Sequence, residues 1–248
     1  MLELILEEAG DFKRSIDAIS VLINEAEFIV DENAMSLKAT DPSQISMIDF
    51  SLKKDAFKSY SVEGKVKLGV DLNHLSQIMS RAKNKDELSI KLDSPTSLKI
   101  GLKGASKRAF SVPLIDISST ELPTPKITFD AEVKLKADLL QDSFKDAALL
   151  SNHITLAVSD GSFIMFADSS KGNFRNEVSK DDSSLVSLKA KADLKSMFPL
   201  DYLANMVKGA QSSVDVTLSM KQDAPVKLQY DIGKATIVYF LAPRIEAE

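Results

Sequence analysis

The sequence predicts an α+β fold of two similar domains, each built from antiparallel sheets with two helices. Three observations lead there. The chain matches itself at an offset of about 128 residues, apolar positions alternate along many short segments, and a proline-bearing polar stretch separates the halves. At 248 residues the chain exceeds the usual domain of roughly 100–150, so two domains fit its length better than one.

The self-match runs through five elements in one order. Leu72, Leu75, Ile78, Met79 and Ala82 fall on Leu200, Leu203, Met206, Val207 and Ala210, so one amphipathic helix pattern occurs twice in register. Phe12 and Ile16 fall on Leu140 and Phe144. Leu88, Ile90 and Leu92 match Val216, Leu218 and Met220, and Phe110 and Val112 match Val238 and Phe240. Asp41 and Asp168 pair one residue out of step. One helix could match by chance, but five elements in the same order indicate a duplication.

The first helix is expected over about residues 11–24, burying Phe12, Ile16, Ile19, Leu22 and Ile23, with Lys13, Arg14, Asp17 and Ser20 facing elsewhere. Its repeat buries Leu140, Phe144, Ala147 and Ala148 and exposes Lys145. The second helix pair exposes Gln77 and Arg81, then Asn205 and Lys208. Alternation marks strands in 88–92 and 214–218. The expected divisions are a first domain over 1–115, an extended connector over 116–131 with Leu122 as its apolar knob, and a second domain over 132–248.

Composition narrows the chemistry. No apolar run approaches the roughly 18 residues of a membrane span. The N-terminus carries Glu3, Glu7 and Glu8 where a secretory signal would carry base, which predicts an intracellular protein. Without cysteine, and with only His74 and His153, a His/Cys zinc site is not expected, although carboxylate-bound metal stays open. A net charge of −5 excludes a wholly basic surface, so any nucleic-acid contact must be local. No catalytic pattern emerges: Asp181 and Asp182 lie in a polar stretch, and Asp160, the acid shortly after His153, adjoins Gly161. Residues 101–104 lack the following Lys-Ser/Thr of a phosphate loop, so the reading is a non-enzyme without a cofactor.

Three segments carry a resemblance: 41–50 (DPSQISMIDF), 22–26 (LINEA) and 239–248 (YFLAPRIEAE). Together they resemble the proliferating cell nuclear antigen family of DNA sliding clamps, most closely its archaeal members, and the resemblance spans essentially the whole chain. It implies a homotrimer closing into a six-domain ring whose hole is lined by twelve helices. On that basis Lys13, Arg14, Arg81, Lys83, Lys107, Arg108, Lys145 and Lys208 are the expected sequence-independent phosphate contacts to duplex DNA. The chain departs from some clamps in carrying Ser20, Gln77, Ser80 and Asp201 where they carry base.

The resemblance also implies a docking pocket for short partner peptides with aromatic and aliphatic anchors. Its expected residues are Gln44, Ile45, Met47, Leu122, Pro123, Pro225, Tyr239, Phe240, Leu241, Ala242, Pro243 and Ile245, although Met47, Phe240 and Leu241 equally suit core packing. Ring closure is expected through two strand edges, 107–114 with Phe110, Val112 and Leu114, and 172–178 with Phe174, Arg175 and Val178. Either phenylalanine could instead pack inside its own domain. The implied partners are double-stranded DNA, DNA polymerase, clamp loader, flap nuclease and ligase, with no membrane; an archaeal source would place them in cytoplasm and nucleoid. A heterotrimeric or checkpoint-type clamp subunit is the alternative.

Overall fold

Period-two burial builds the strands and period-3.6 burial the helices. The computed structural model describes residues 2–117 and 122–245. The middle of the expected connector, 118–121, and the last three residues of the terminal motif lie outside the described residues.

In chain order the first half holds β1 (Leu2–Leu6), α1 (Gly10–Ser20), β2 (Glu25–Val30), β3 (Ala34–Thr40), β4 (Ser46–Lys53), β5 (Ser59–Val62), β6 (Val66–Asp71), α2 (Leu72–Ser80), β7 (Glu87–Ser94), β8 (Ser97–Lys103) and β9 (Lys107–Pro113). The second holds β10 (Ala131–Lys136), α3 (Ala137–Ala148), β11 (His153–Ser159), β12 (Ser162–Ser169), β13 (Gly172–Val178), β14 (Leu185–Ala190), β15 (Leu194–Pro199), α4 (Leu200–Lys208), β16 (Asp215–Met220), β17 (Val226–Ile232) and β18 (Ala235–Leu241).

The chain forms two compact units. One comprises residues through Pro42, Ile48–Pro123 and Ile232–Ile237; the other comprises Ser43–Met47, Thr124–Asp231 and Val238 onward. Two short segments, 43–47 and 232–237, thus belong to the unit built mainly by the opposite half of the sequence.

The two units repeat one topology. In the first, strands run β5-β1-β7-β8-β9 and β6-β2-β3-β4; in the second, β14-β10-β16-β17-β18 and β15-β11-β12-β13. The strands pair antiparallel in both units. Register places matched residues alike: β1 pairs Leu4 with Ile90 of β7, and β10 pairs Val133 with Leu218 of β16.

The helices pack in pairs, α1 with α2 and α3 with α4, and each pair lies against its own strands. The first core gathers Leu4, Phe12, Ile16, Ile19, Phe28 and Phe50, with Phe28 and Phe50 edge-to-face at 6.0 Å. Such a pair adds about 0.5–1.5 kcal/mol beyond its burial. The second gathers Leu140, Phe144, Phe163, Phe198, Leu203 and Tyr239. Asp71 caps α2 by accepting the His74 N–H at 3.0 Å, while Pro199 precedes α4 with no side-chain cap.

Two expectations are corrected. Helix α1 ends at Ser20, not near residue 24, because the Asn24 carbonyl is taken by the Leu72 N–H at 2.8 Å, which pins that residue beside the start of α2. Leu22 is only half-buried, and Ile23 is buried from the turn. Ala148 is exposed, since α3 keeps Leu140, Phe144 and Ala147 on its core stripe and carries residue 148 off it.

Candidate functional site

The expected basic residues fall into two physical states. Arg108 on β9 is held: it donates to the Arg81 carbonyl at 2.7 Å and pairs with the carboxylate of Asp86. Asp86 is itself buried and also accepts the Lys83 N–H at 3.1 Å. A buried carboxylate needs such partners, so Arg108 serves the fold before any phosphate. Arg14 pairs with Asp11 one helical turn away. Lys13 crosses from α1 to the end of α2, its Nζ 3.3 Å from the Ser80 carbonyl and 3.5 Å from that of Ala82. It thereby satisfies carbonyls left open at a helix C-terminus.

The remaining bases are more available. Arg81, Lys83 and Lys107 are exposed, with no ion pair among the described residues. In the second unit Lys208 has the same standing at the last turn of α4, and Lys145 on α3 is exposed but paired with Asp142 at 2.9 Å.

The terminal motif forms a strap on the second unit. The Ala242 N–H donates to the Ile45 carbonyl at 2.8 Å, and the Arg244 N–H to the Met197 carbonyl of β15 at 2.8 Å. Gln44, beside Ile45, adopts φ 58°, a left-handed turn conformation that leaves its side chain exposed. Ala242 and Pro243 are half-buried, and Ile245 is 74% exposed. A cleft of about 900 Å³ opens beside the strap, lined among others by His153, Thr155, Lys195, Met197, Arg244 and Ile245.

Other expected docking residues point inward. Met47, Tyr239, Phe240 and Leu241 are buried. The Tyr239 hydroxyl bonds that of Tyr230, which donates to the Met206 carbonyl at 2.9 Å, one of the open carbonyls at the end of α4. These side chains therefore build the wall from behind. Pro225 is half-buried before β17; Leu122, half-buried, and Pro123, exposed, belong to the first unit.

Strands β9 and β13 each stand at the end of their strand order. On β9, Val112 is buried and Phe110 half-buried; Leu114 follows, its N–H bonded to the Thr96 carbonyl at 2.9 Å. On β13, Val178 is buried, Phe174 half-buried, and Arg175 pairs with Glu177 at 2.9 Å. Val112 and Val178 therefore anchor the edges from inside. Sequence reasoning missed Leu149, which is 75% exposed at the end of α3 and adjoins Leu150, a side chain 3.9 Å from where a Cβ on Gly172 would stand. The signal was present, since 149 falls off the helix's apolar stripe.

Comparison with known proteins decides the family. Residues 1–119 match the proliferating cell nuclear antigen N-terminal domain, and residues 123–245 match its C-terminal domain. The chain belongs to the proliferating cell nuclear antigen family. The DNA polymerase sliding clamp of Pyrococcus furiosus is 34% identical over 245 residues, covering 98% of each chain. That of Thermofilum pendens is 32% identical over 248 residues, covering 99% of this chain and all of the relative. The solved clamp of Thermococcus kodakaraensis shares the fold at a TM-score of 0.94, with 24% identity over 98% of this chain and 100% of that one. A complex of the C-terminal region of FEN-1 with the A. fulgidus clamp superposes at 0.91, with 25% identity over the full length of both chains.

Sliding clamps of the proliferating cell nuclear antigen family are non-catalytic processivity factors. Among the described residues no three His, Asp or Glu side chains gather as a metal site, and no helix is long and apolar enough to cross a membrane.

Proposed function

We propose that this chain is a DNA sliding clamp. It encircles duplex DNA as a trimer and tethers DNA polymerase and other replication and repair enzymes, giving processivity by topology and not by tight DNA affinity. The observation that carries this reading is the match of both family domains along the whole chain, at 34% identity to a DNA polymerase sliding clamp. Acting on chromosomal DNA places it inside the cell, in cytoplasm or nucleoid for an archaeal source.

Closure follows from two edges of unlike sequence. An edge strand offers unpaired N–H and C=O groups, and a head-to-tail contact between different edges closes into a ring when its rotation fits. We assign β9 of one copy to β13 of the next, with Phe110, Leu114, Phe174 and Arg175 at the seam and Leu149 and Leu150 as added apolar knobs. Weak phosphate contacts fall to Arg81, Lys83, Lys107, Lys145 and Lys208, with Lys13 and Arg14 closer to the helix surface.

Partner segments meet the strap: Gln44, Ile45, Ala242, Pro243 and Ile245 supply exposed backbone and apolar surface. FEN-1 bound to the A. fulgidus clamp gives the partner class, a flap nuclease engaging through its C-terminal region. Polymerase, ligase and clamp loader are assigned to the same surface. Opening the ring falls to a separate ATPase.

Light scattering across a dilution series tests the assembly. The expected mass is three times the 27.1 kDa chain. A persistent monomer would sink self-closure and favour a subunit that needs different neighbours.

A further inference from the structure

The duplication places two chain segments in equivalent positions, and the protein fastens them differently. After β9 the chain returns to the edge strand β6, where the Ile115 N–H donates to the Gly69 carbonyl at 2.9 Å. After β18 it returns to the edge strand β15, where the Arg244 N–H donates to the Met197 carbonyl at 2.8 Å. At the first position the backbones touch: a Cβ on Gly69 would stand 2.0 Å from the Ile115 carbonyl oxygen, and the Ile117 side chain lies 3.3 Å from it. Apolar packing and close approach hold that segment.

The second position lacks both devices. Met197 stands where the first unit has glycine, and Ile245 is exposed, so it adds no apolar anchor. Instead the Arg244 side chain reaches His153, the first residue of β11, opposite Pro199 in register. Arg244 Nη1 lies 2.8 Å from His153 Nε2 and 3.1 Å from Nδ1. A guanidinium carries donors only, so this pairing needs a neutral imidazole with a free lone pair.

We propose that His153 is a positioning residue which holds the terminal strap on β15 through Arg244, and that its protonation releases the strap and weakens partner binding there. The binding half rests on reading the strap as the docking surface. Protonation would set two cations about 3 Å apart, and their repulsion opposes the contact. Among the described residues, the charged groups around His153 are Arg244 on the strap and Asp201 on α4, with Asp168 of β12, Lys195 of β15 and Asp223 of the loop between β16 and β17 lining the same cleft. Burial, and then the Arg244 charge, hold the imidazole below its usual 6.5, while Asp201 acts the other way. With the folded value lowered, the hydrogen bond is intact at and above 6.5 and breaks as pH falls through that lowered value.

The test is NMR on the full chain from about pH 8 to about pH 5, following the His153 ring and the protection of the Arg244 amide, corrected for intrinsic exchange. Protection is expected to fall about five- to tenfold as His153 protonates, while amides of β17 hold steady. His153→Gln, which keeps a neutral acceptor, should stay protected throughout; His153→Lys should be unprotected at every pH. Arg244→Gln should abolish the pH dependence. A flat Arg244 profile through the His153 titration, or full protection in His153→Lys, overturns the proposal.

Calorimetry with a synthetic peptide bearing aliphatic and aromatic anchors tests the second half. Affinity should fall with protection; unchanged affinity while protection drops overturns the link to binding. A peptide that fails to bind even at about pH 8 removes the docking reading instead, and the amide measurement still decides what His153 does.

Discussion

At the scale of single residues, the buried polar groups decide what a side chain is free to do. Tyr230 and Tyr239 pack with ring centroids 6.2 Å apart and planes tilted by 39°, and their linked hydroxyls end on the Met206 carbonyl. Tyr230→Phe leaves that helix-end carbonyl without its donor, so chemical denaturation should show a loss of about 1–3 kcal/mol. The same burial pushes the Tyr230 phenol up to about 12 from 10.0. Above 10.0 the unfolded chain sheds a proton that the folded chain keeps, so alkaline titration should show stability falling between 10.0 and about 12, and less steeply in Tyr230→Phe. Arg108 illustrates the same point among cations. Sequence offered it as a phosphate ligand, but the buried carboxylate of Asp86 claims it.

At the scale of elements, the informative features are strand edges and what closes them. β6 and β15 are each covered by the chain that returns to them, Ile115 in one unit and Arg244 in the other, while β9 and β13 end their strand orders. Leu149 is exposed next to Leu150, whose side chain lies near Gly172 at the start of β13, and offers that second edge an apolar knob. Burying a leucine is worth about 1.5–3 kcal/mol, and a charge in its place adds desolvation cost. Leu149→Lys should therefore raise the trimer's dissociation midpoint in light scattering by about tenfold or more, with the melting temperature of the isolated subunit little changed.

At the scale of the molecule, the net charge of −5 must coexist with DNA in the assembled hole. Only locally concentrated base can serve, and assembly triples each contribution. Arg81→Ala, Lys83→Ala and Lys208→Ala should each weaken binding to nonspecific duplex and together flatten its salt dependence, by roughly one counterion for each phosphate no longer neutralised. Arg108→Ala should differ in kind. Its main effect is on stability, because it leaves the buried Asp86 carboxylate with the Lys83 N–H but without its cation, and a thermal melt run beside the binding titration separates the two.

The sequence by itself determined the duplication, the α+β class, and the residues that face each core. Those follow from local periodicity: Leu72–Ala82 and Leu200–Ala210 announce their buried stripes through spacing alone. Helix ends were legible only approximately, since α1 stops where a distant hydrogen bond, Leu72 N–H to Asn24 carbonyl, fixes the chain. Along the terminal motif, apolar character was plain in the string, but whether Tyr239 faces a partner or the interior depends on Tyr230 and Met206 arriving behind it. Likewise, which bases stay available was decided by tertiary structure, because Arg108 and Asp86 lie 22 residues apart in sequence and meet only across folded strands. The pairing of His153 with Arg244, 91 residues apart, is of the same kind: periodicity reports which way a side chain points, and only the folded chain reports what it meets there.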